Sequence, residues 1–309
     1  VYSVTKSITS TLVGIAGAEG ALDVHAPVIS YFPHVTLDDP GKEAILVEHL
    51  LSMTSGIEWM EPLYSGLSDH WGILESDDPA QYCFTPALLA EPGTLFNYNS
   101  GGSHLLSMLV QEVSGQIAAD FAAEKLFAPL DIRDYAWKSD FTGHTWGGTG
   151  LDLLPADMAK IGQMILDGGV WQGIQVVPAD WLDAAMQVHS TSSPELNYGY
   201  QWWIRPQGDF FAMGLGGQQI HVFPDEDMVV VFTAGLGGND ILHNELVDNY
   251  LLPAIQSDDP LPADEQAGAR LDNAIAALAS PQVHFSAPIS PLAQEVDGKL
   301  WLATGRGTW

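Results

Sequence analysis

The chain has 309 residues, 46% of them apolar, enough for one large domain or two lobes around a substantial core. Ten basic against thirty-nine acidic residues give a net charge of −29, which leaves no basic patch for nucleic acid or an anionic membrane surface. The single cysteine, Cys83, excludes an internal disulfide and a cysteine-based zinc cluster, and no apolar run is long enough for a membrane-spanning helix.

The ten histidines are scattered without an H-x-x-x-H or H-x-H pair, so neither a metal nor another cofactor is expected. The acidity reads most simply as a solvated surface that keeps the protein in solution; adaptation to high salt is the other reading. The residues themselves assign no compartment.

The first stretch is the most informative. Ser3-Val4-Thr5-Lys6 runs into Ser7-Ile8-Thr9-Ser10-Thr11-Leu12-Val13, which predicts a helix with Ser3 and Lys6 on one face. A serine hydroxyl needs an adjacent base to become a nucleophile, and a lysine can be that base when burial or nearby positive charge favours its neutral form. The helix N-terminus adds partial positive charge and unpaired N–H groups, which favour a neutral amine and an anion at the serine oxygen. Of six lysines, only Lys6 follows a serine at this spacing. Taken alone, the pattern also fits an ordinary helix start with Ser3 or Thr5 as its cap. The candidate nucleophile is the third residue, and active sites need support on all sides, so further sequence upstream is expected.

Farther along, Val28 to Phe32 is a short apolar piece, and Glu43 to Met53 predicts a helix ended by Thr54-Ser55-Gly56. His49 on that helix reads as a satisfied core histidine. Residues 57–95 are loop-rich, with Trp59 and Trp71 either lining a cleft or pinning the loop to the core. Pro92-Gly93-Thr94 then turns the chain into Leu95-Phe96-Asn97-Tyr98-Asn99-Ser100. A helix is expected from about Ser103 to Val113 and another from Ile117 to Leu126, as parts of a helical lobe spanning roughly 43–150. Tyr98, set by a turn before a helix, is a candidate proton relay.

Residues 131–153 are polar and glycine-rich, followed by expected helices from Asp157 to Leu166 and from Pro178. The apolar period then changes to two. Tyr198–Ile204, Phe210–Gly214, Gln218–Phe223 and Met228–Thr233 predict four strands of an antiparallel meander, a sheet over about 198–233, with a helix from Asn239 to Ile255 packed on it. Between the second and third strands, Leu215-Gly216-Gly217-Gln218 lets the backbone approach a ligand closely, and a strand edge there can offer an N–H to a developing oxyanion. Residues 256–309 read as an acidic linker, a short amphipathic helix (Leu271, Ile275, Leu278) and the start of an incomplete β unit.

In order and content these segments resemble the serine β-lactamase and penicillin-binding-protein superfamily, whose signature is Ser-x-x-Lys. The likeness is greatest to class C β-lactamase-like esterases and amide hydrolases, including the 6-aminohexanoate-oligomer hydrolase type. Ser3-Val4-Thr5-Lys6-Ser7, His49-Leu50-Leu51-Ser52-Met53-Thr54-Ser55-Gly56, Pro92 to Gly101, Tyr198-Gly199-Tyr200-Gln201-Trp202-Trp203 and Gly216-Gly217-Gln218 carry it, over residues 1 to about 255. The resemblance implies an α/β (α+β) fold of the β-lactamase/transpeptidase type, with an antiparallel sheet flanked by helices, a helical lobe, and the site between them. It implies Ser3 as acylated nucleophile, Lys6 as base, Tyr98 as activating partner, and an oxyanion hole from the N–H groups of Ser3 and Gln218. Gly216, Gly217, Leu215, Asn99 and Ser100 would line the substrate site, and the substrate would be a small ester or amide. An extracytoplasmic location is compatible with it.

Three departures stand out. The family's tyrosine motif often has Asn two residues after Tyr, where this chain has Ser100. Leu215 stands where the family usually offers Lys, His or another polar residue to hold a substrate carboxylate. That disfavours a β-lactamase or a D-Ala-D-Ala carboxypeptidase. The family's strands before the nucleophile helix are not seen, nor is the closure of the last β unit, which reads as a chain shortened at both ends. A non-catalytic module that binds peptide or cell-wall fragments is the alternative to a hydrolase. An α/β-hydrolase is disfavoured because no G-x-S-x-G occurs.

Overall fold

The computed structural model describes residues 1–20, 22–61, 69–236, 241–257 and 262–279. The chain divides into two units, Val1–Ile255 and Gln256–Trp309. In the first, helix α1 (Val4–Ala18) is buried along its length, with every residue from Val4 to Ala16 out of solvent. Three of its buried hydroxyls find partners: Ser7 Oγ donates to Gln201 O at 2.6 Å, Thr9 Oγ1 to Gly147 O at 2.8 Å and Thr11 Oγ1 to Ser7 O at 2.9 Å.

The helical side of the unit holds α2 (Val47–Leu51), α3 (Asp69–Leu74), α4 (Pro79–Phe84), α5 (Ser100–Ser114) and α6 (Ala118–Ala122). Asn99 caps α5 by accepting from Gly102 N at 2.9 Å, and Gly115 closes it in the left-handed region at φ 73°. A hairpin of β1 (Tyr135–Trp137) and β2 (Leu151–Leu153) follows. Next come α7 (Pro155–Leu166), a hairpin of β3 (Val170–Trp171) and β4 (Ile174–Gln175), and α8 (Ala179–Ala185).

The main sheet is antiparallel and six-stranded: β5 (Ser190–Ser193), β6 (Leu196–Tyr198), β7 (Trp203–Ile204), β8 (Phe210–Gly214), β9 (Gln218–Phe223) and β10 (Met228–Phe232), each paired with the next. Helix α1 packs between α5 and strands β8 and β9, while α7 covers β9 and β10. After β10 come α9 (Ile241–Leu246), a π turn (Val247–Leu251) and a 3-10 turn (Leu252–Ala254). Among the described residues no helix is long and apolar enough to cross a membrane.

Several boundaries differ from the sequence expectation. The expected helix Glu43–Met53 is a 3-10 turn (Pro40–Ala44) and the short α2, because Ile45 and Leu46 run extended and Leu46 bridges Pro27. The expected strand Tyr198–Ile204 is a hairpin: Tyr198 pairs with Trp203, and Gln201 takes φ 65° in the turn. Strand β5 is an addition, its Ser-Thr-Ser-Ser sequence carrying no apolar alternation, so the sheet begins earlier than expected. Helix α5 starts at Ser100, three residues early. Pro178 is the cap of α8 and not its first residue. The first two residues of the expected helix Asn239–Ile255, and the expected β unit from Val296 onward, lie outside the described residues. In the second unit, α10 (Glu265–Ala279) carries Leu271, Ile275 and Leu278 at i, i+4 and i+7.

Candidate active site

Ser3 sits at the N-cap of α1. One turn on, Lys6 is 1% exposed and its Nζ donates to Ser3 Oγ at 3.0 Å and to Gly148 O at 2.8 Å. Among the described residues no carboxylate pairs with Lys6. Its Nζ is therefore held between two neutral oxygens, one of them the serine's.

Tyr98 approaches from the other side. Lys6 Nζ lies 4.8 Å from the centre of its ring. The ring stacks on Trp203 at 5.9 Å and 16°, and rests on a small apolar cluster of Met53, Tyr198, Trp203 and Phe211. Thus Ser3 and Lys6 share a hydrogen bond, while Tyr98 meets the lysine through its ring face.

The strand end after β8 brings the third segment in. Gly216 and Gly217 have φ of 79° and 88°, and Gly216 O accepts from Leu236 N at 2.8 Å. A methyl placed on Gly214 would lie 3.1 Å from Ser3 N and 3.2 Å from Gln218 Cβ, so Ser3 and Gln218 flank one glycine. The Gln218 side chain turns away and donates to Ala234 O.

A cleft of about 470 Å³ opens on Ser3, with Tyr2, Glu61, Trp71, Trp146 and Leu215 among its walls. Lys138 and Asp152 also face it. Ser100 lines the cleft, whereas Asn99 is 5% exposed and engaged with α5. Trp71 is thus a cleft residue, while Trp59 is buried and donates from Nε1 to Glu61. His49 accepts from Leu46 N at 3.1 Å through Nδ1 and serves the backbone at the start of α2.

Two contributors carry no signal in the sequence. Glu61 accepts from Ser100 Oγ and from Ser100 N at 3.3 Å, placing a carboxylate in the cleft from a segment read only as loop. Gly148 supplies the second acceptor of Lys6 from the glycine-rich stretch 142 residues away. Gln201 ties the surroundings together: its Oε1 accepts from Ser103 Oγ at 2.7 Å, and its Nε2 donates to Leu50 O at 2.9 Å and Leu51 O at 3.0 Å. Among the described residues no group of three or more His, Cys, Asp or Glu side chains is arranged to hold a metal ion.

The model of the Beta-lactamase family matches residues 1–248. The chain belongs to that family. It is 29% identical over 264 residues to the 6-aminohexanoate-dimer hydrolase of Paenarthrobacter ureafaciens, covering 78% of this chain and 67% of that one. Among solved structures, a Bacillus anthracis protein assigned to the 6-aminohexanoate-dimer hydrolases superimposes with a TM-score of 0.71 at 21% identity, over 83% of this chain and 73% of the other. A D-stereospecific amidohydrolase from Streptomyces sp. superimposes with a TM-score of 0.64 at 19% identity, over 80% and 85%. The two structural likenesses establish a shared fold. The protein is a hydrolase of the beta-lactamase fold.

Proposed function

We propose that the protein is a serine hydrolase that cleaves small esters or amides through an acyl-enzyme on Ser3. The observation that carries this reading is the 3.0 Å bond between a buried Lys6 and Ser3 Oγ at the floor of an open cleft. Lys6, in its amine form, takes the proton of Ser3 Oγ as that oxygen bonds to the substrate carbonyl carbon. The carbonyl oxygen becomes an anion and accepts from the N–H groups of Ser3 and Gln218. The C–O or C–N bond then breaks, and the Lys6–Tyr98 pair returns the proton to the departing alcohol or amine. Water attacks the acyl carbon, gives its proton to the same pair, and the acid leaves as Ser3 Oγ is reprotonated.

Leu215 in the cleft wall favours neutral substrates over those recognised by a carboxylate beside the reacting carbonyl. The name of one relative, a 6-aminohexanoate-dimer hydrolase, favours amides among them.

Intact-mass spectrometry after incubation with a fluorophosphonate tests the reading. One adduct is expected on the wild type and none on Ser3→Ala. A folded wild type that takes no adduct, yet binds peptide or cell-wall fragments saturably, would establish the non-catalytic alternative.

A further inference from the structure

Behind the lysine stands a second buried pair that the proposed chemistry does not use. His104, on α5, is 2% exposed, and the Asp140 side chain is fully buried. His104 Nε2 lies 2.8 Å from Asp140 Oδ2, and His104 Nδ1 accepts from Gly147 N at 3.3 Å. The facing N–H of Gly147 requires a lone pair on Nδ1. The ring proton is therefore on Nε2 and is donated to Asp140.

Asp140 is itself fixed. Its Oδ1 accepts from Thr142 N at 2.8 Å, Thr142 Oγ1 at 2.8 Å and His144 N at 3.0 Å. Burial opposes its charge, but the hydrogen bonds from His104, His144 and Thr142 outweigh that and hold its carboxyl well below the usual range. From Gly147 the path to the site is one peptide long. Gly148 O is the acceptor of Lys6 Nζ at 2.8 Å, and Gly147 O accepts from Thr9 Oγ1 at 2.8 Å. Gly147 itself is pressed on α5: a methyl there would lie 2.0 Å from Ser103 O.

We propose that His104 and Asp140 are positioning residues that hold the Gly147–Gly148 segment so that Gly148 O aims Lys6 Nζ at Ser3. The proposal rests on the reading of Lys6 as the base. Without the bond from Gly147 N, the segment keeps only the Thr9 tie and its packing on α5, and Gly148 O is less closely aimed at the lysine. The pair touches neither substrate nor the reacting atoms.

The structure supplies a matched set of variants. In Asp140→Asn, the Oδ1 position is claimed by two backbone N–H donors, so the amide nitrogen must face His104 Nε2. That pushes the ring proton to Nδ1, against the N–H of Gly147. His104→Gln keeps a donor toward Asp140 but removes the acceptor for Gly147. His104→Asn does the reverse, with an oxygen near the place of Nδ1.

Each variant would be treated with a fluorophosphonate at several concentrations. Labelling of Ser3 would be followed by intact mass, and folding by circular-dichroism melting. Asp140→Asn and His104→Gln are expected to be labelled about 30-fold more slowly, since small misplacements near the chemistry are costly, with His104→Asn within about threefold of wild type. The loss should fall on the limiting labelling rate and not on the half-saturating probe concentration. Thr9→Val, which cuts the other tie to Gly147, is expected to lose about threefold. Wild-type rates in folded Asp140→Asn and His104→Gln would overturn the positioning role while leaving Ser3 as nucleophile. A His104→Asn variant as slow as His104→Gln would overturn the part given to Nδ1. A wild type that takes no label at Ser3 would remove the nucleophile reading and the positioning role with it.

Discussion

His104–Asp140 and His221–Asp209 are the same two residue types, each buried and each joined through Nε2, yet they are wired to different parts of the molecule. In the first pair both ring nitrogens are used, and the path leads through Gly147 to the lysine beside Ser3. In the second, His221 Nδ1 has no hydrogen-bond partner among the described residues, and Asp209 is shared with Arg205, whose Nε donates to it at 2.8 Å. The same guanidinium grips Asp248 with both terminal nitrogens, at 3.0 and 2.9 Å, fastening the π turn after α9 to the turn that follows β7. One pair therefore aims a carbonyl at the candidate site, and the other anchors the C-terminal helical segment to the sheet. Residue identity and burial do not distinguish them; the partner of the second nitrogen does.

The contrast can be broken most forcefully at Asp209. Asp209→Ala leaves Arg205 and His221 buried with one carboxylate fewer, and should cost about 3–5 kcal/mol in chemical denaturation. Ser3 labelling in the fraction still folded should stay at the wild-type rate. Slow labelling in that fraction would show that the two networks are coupled through β8 and β9.

Titration sharpens the comparison next. Burial pushes both His104 and His221 below the ordinary imidazole value of 6.5, although each aspartate opposes it. The unfolded chain then binds protons near pH 6.5 that the folded chain refuses, so stability is full above that pH and falls as the pH drops below it. Asp140 and Asp209, both held below the usual carboxylate range, add a further loss below pH 4. Melting temperature should fall from pH 7.5 to pH 5, and less steeply in His104→Asn, which lacks one of the two rings. A flat profile over that interval would contradict the assignment of neutral rings.

The smallest effect calibrates the unpartnered nitrogen of His221. Ser10 Oγ on α1 is likewise buried without a hydrogen-bond partner among the described residues. Ser10→Ala should be neutral or stabilising by up to about 1 kcal/mol in a denaturant melt, since no bond is lost. A clear destabilisation would mean that this hydroxyl has a partner.

Legibility followed distance along the chain. Strands β8 and β9 and the start of α1 could be read because alternation, glycines and the i, i+3 pair are local signals. Tyr98 could be placed before a helix by Pro92-Gly93. Strand β5 could not be read, because Ser190–Ser193 offers no apolar period, and the β6–β7 hairpin was hidden because Gln201 enters the left-handed region to bond Leu50 and Leu51. Glu61, Gly148 and the His104–Asp140 pair join the site only through contacts between segments 36 to 142 residues apart. His104 lies in an apolar helix, where nothing marks it from a packed core histidine.

The burial of α1 has an evolutionary consequence. A surface helix has an outer face on which sequence can drift; this one has none, and even Gly14 is closed off by the ring of Trp181, which an added methyl would meet at 2.2 Å. Changes in what the protein accepts are therefore more readily made in the cleft walls, at Trp71, Lys138 and Leu215, than on the helix that follows the candidate nucleophile Ser3. A saturation library of α1 should keep mainly changes that alter side-chain volume little, such as Ser10→Ala and Thr9→Val, and one of those three wall positions should return altered preferences.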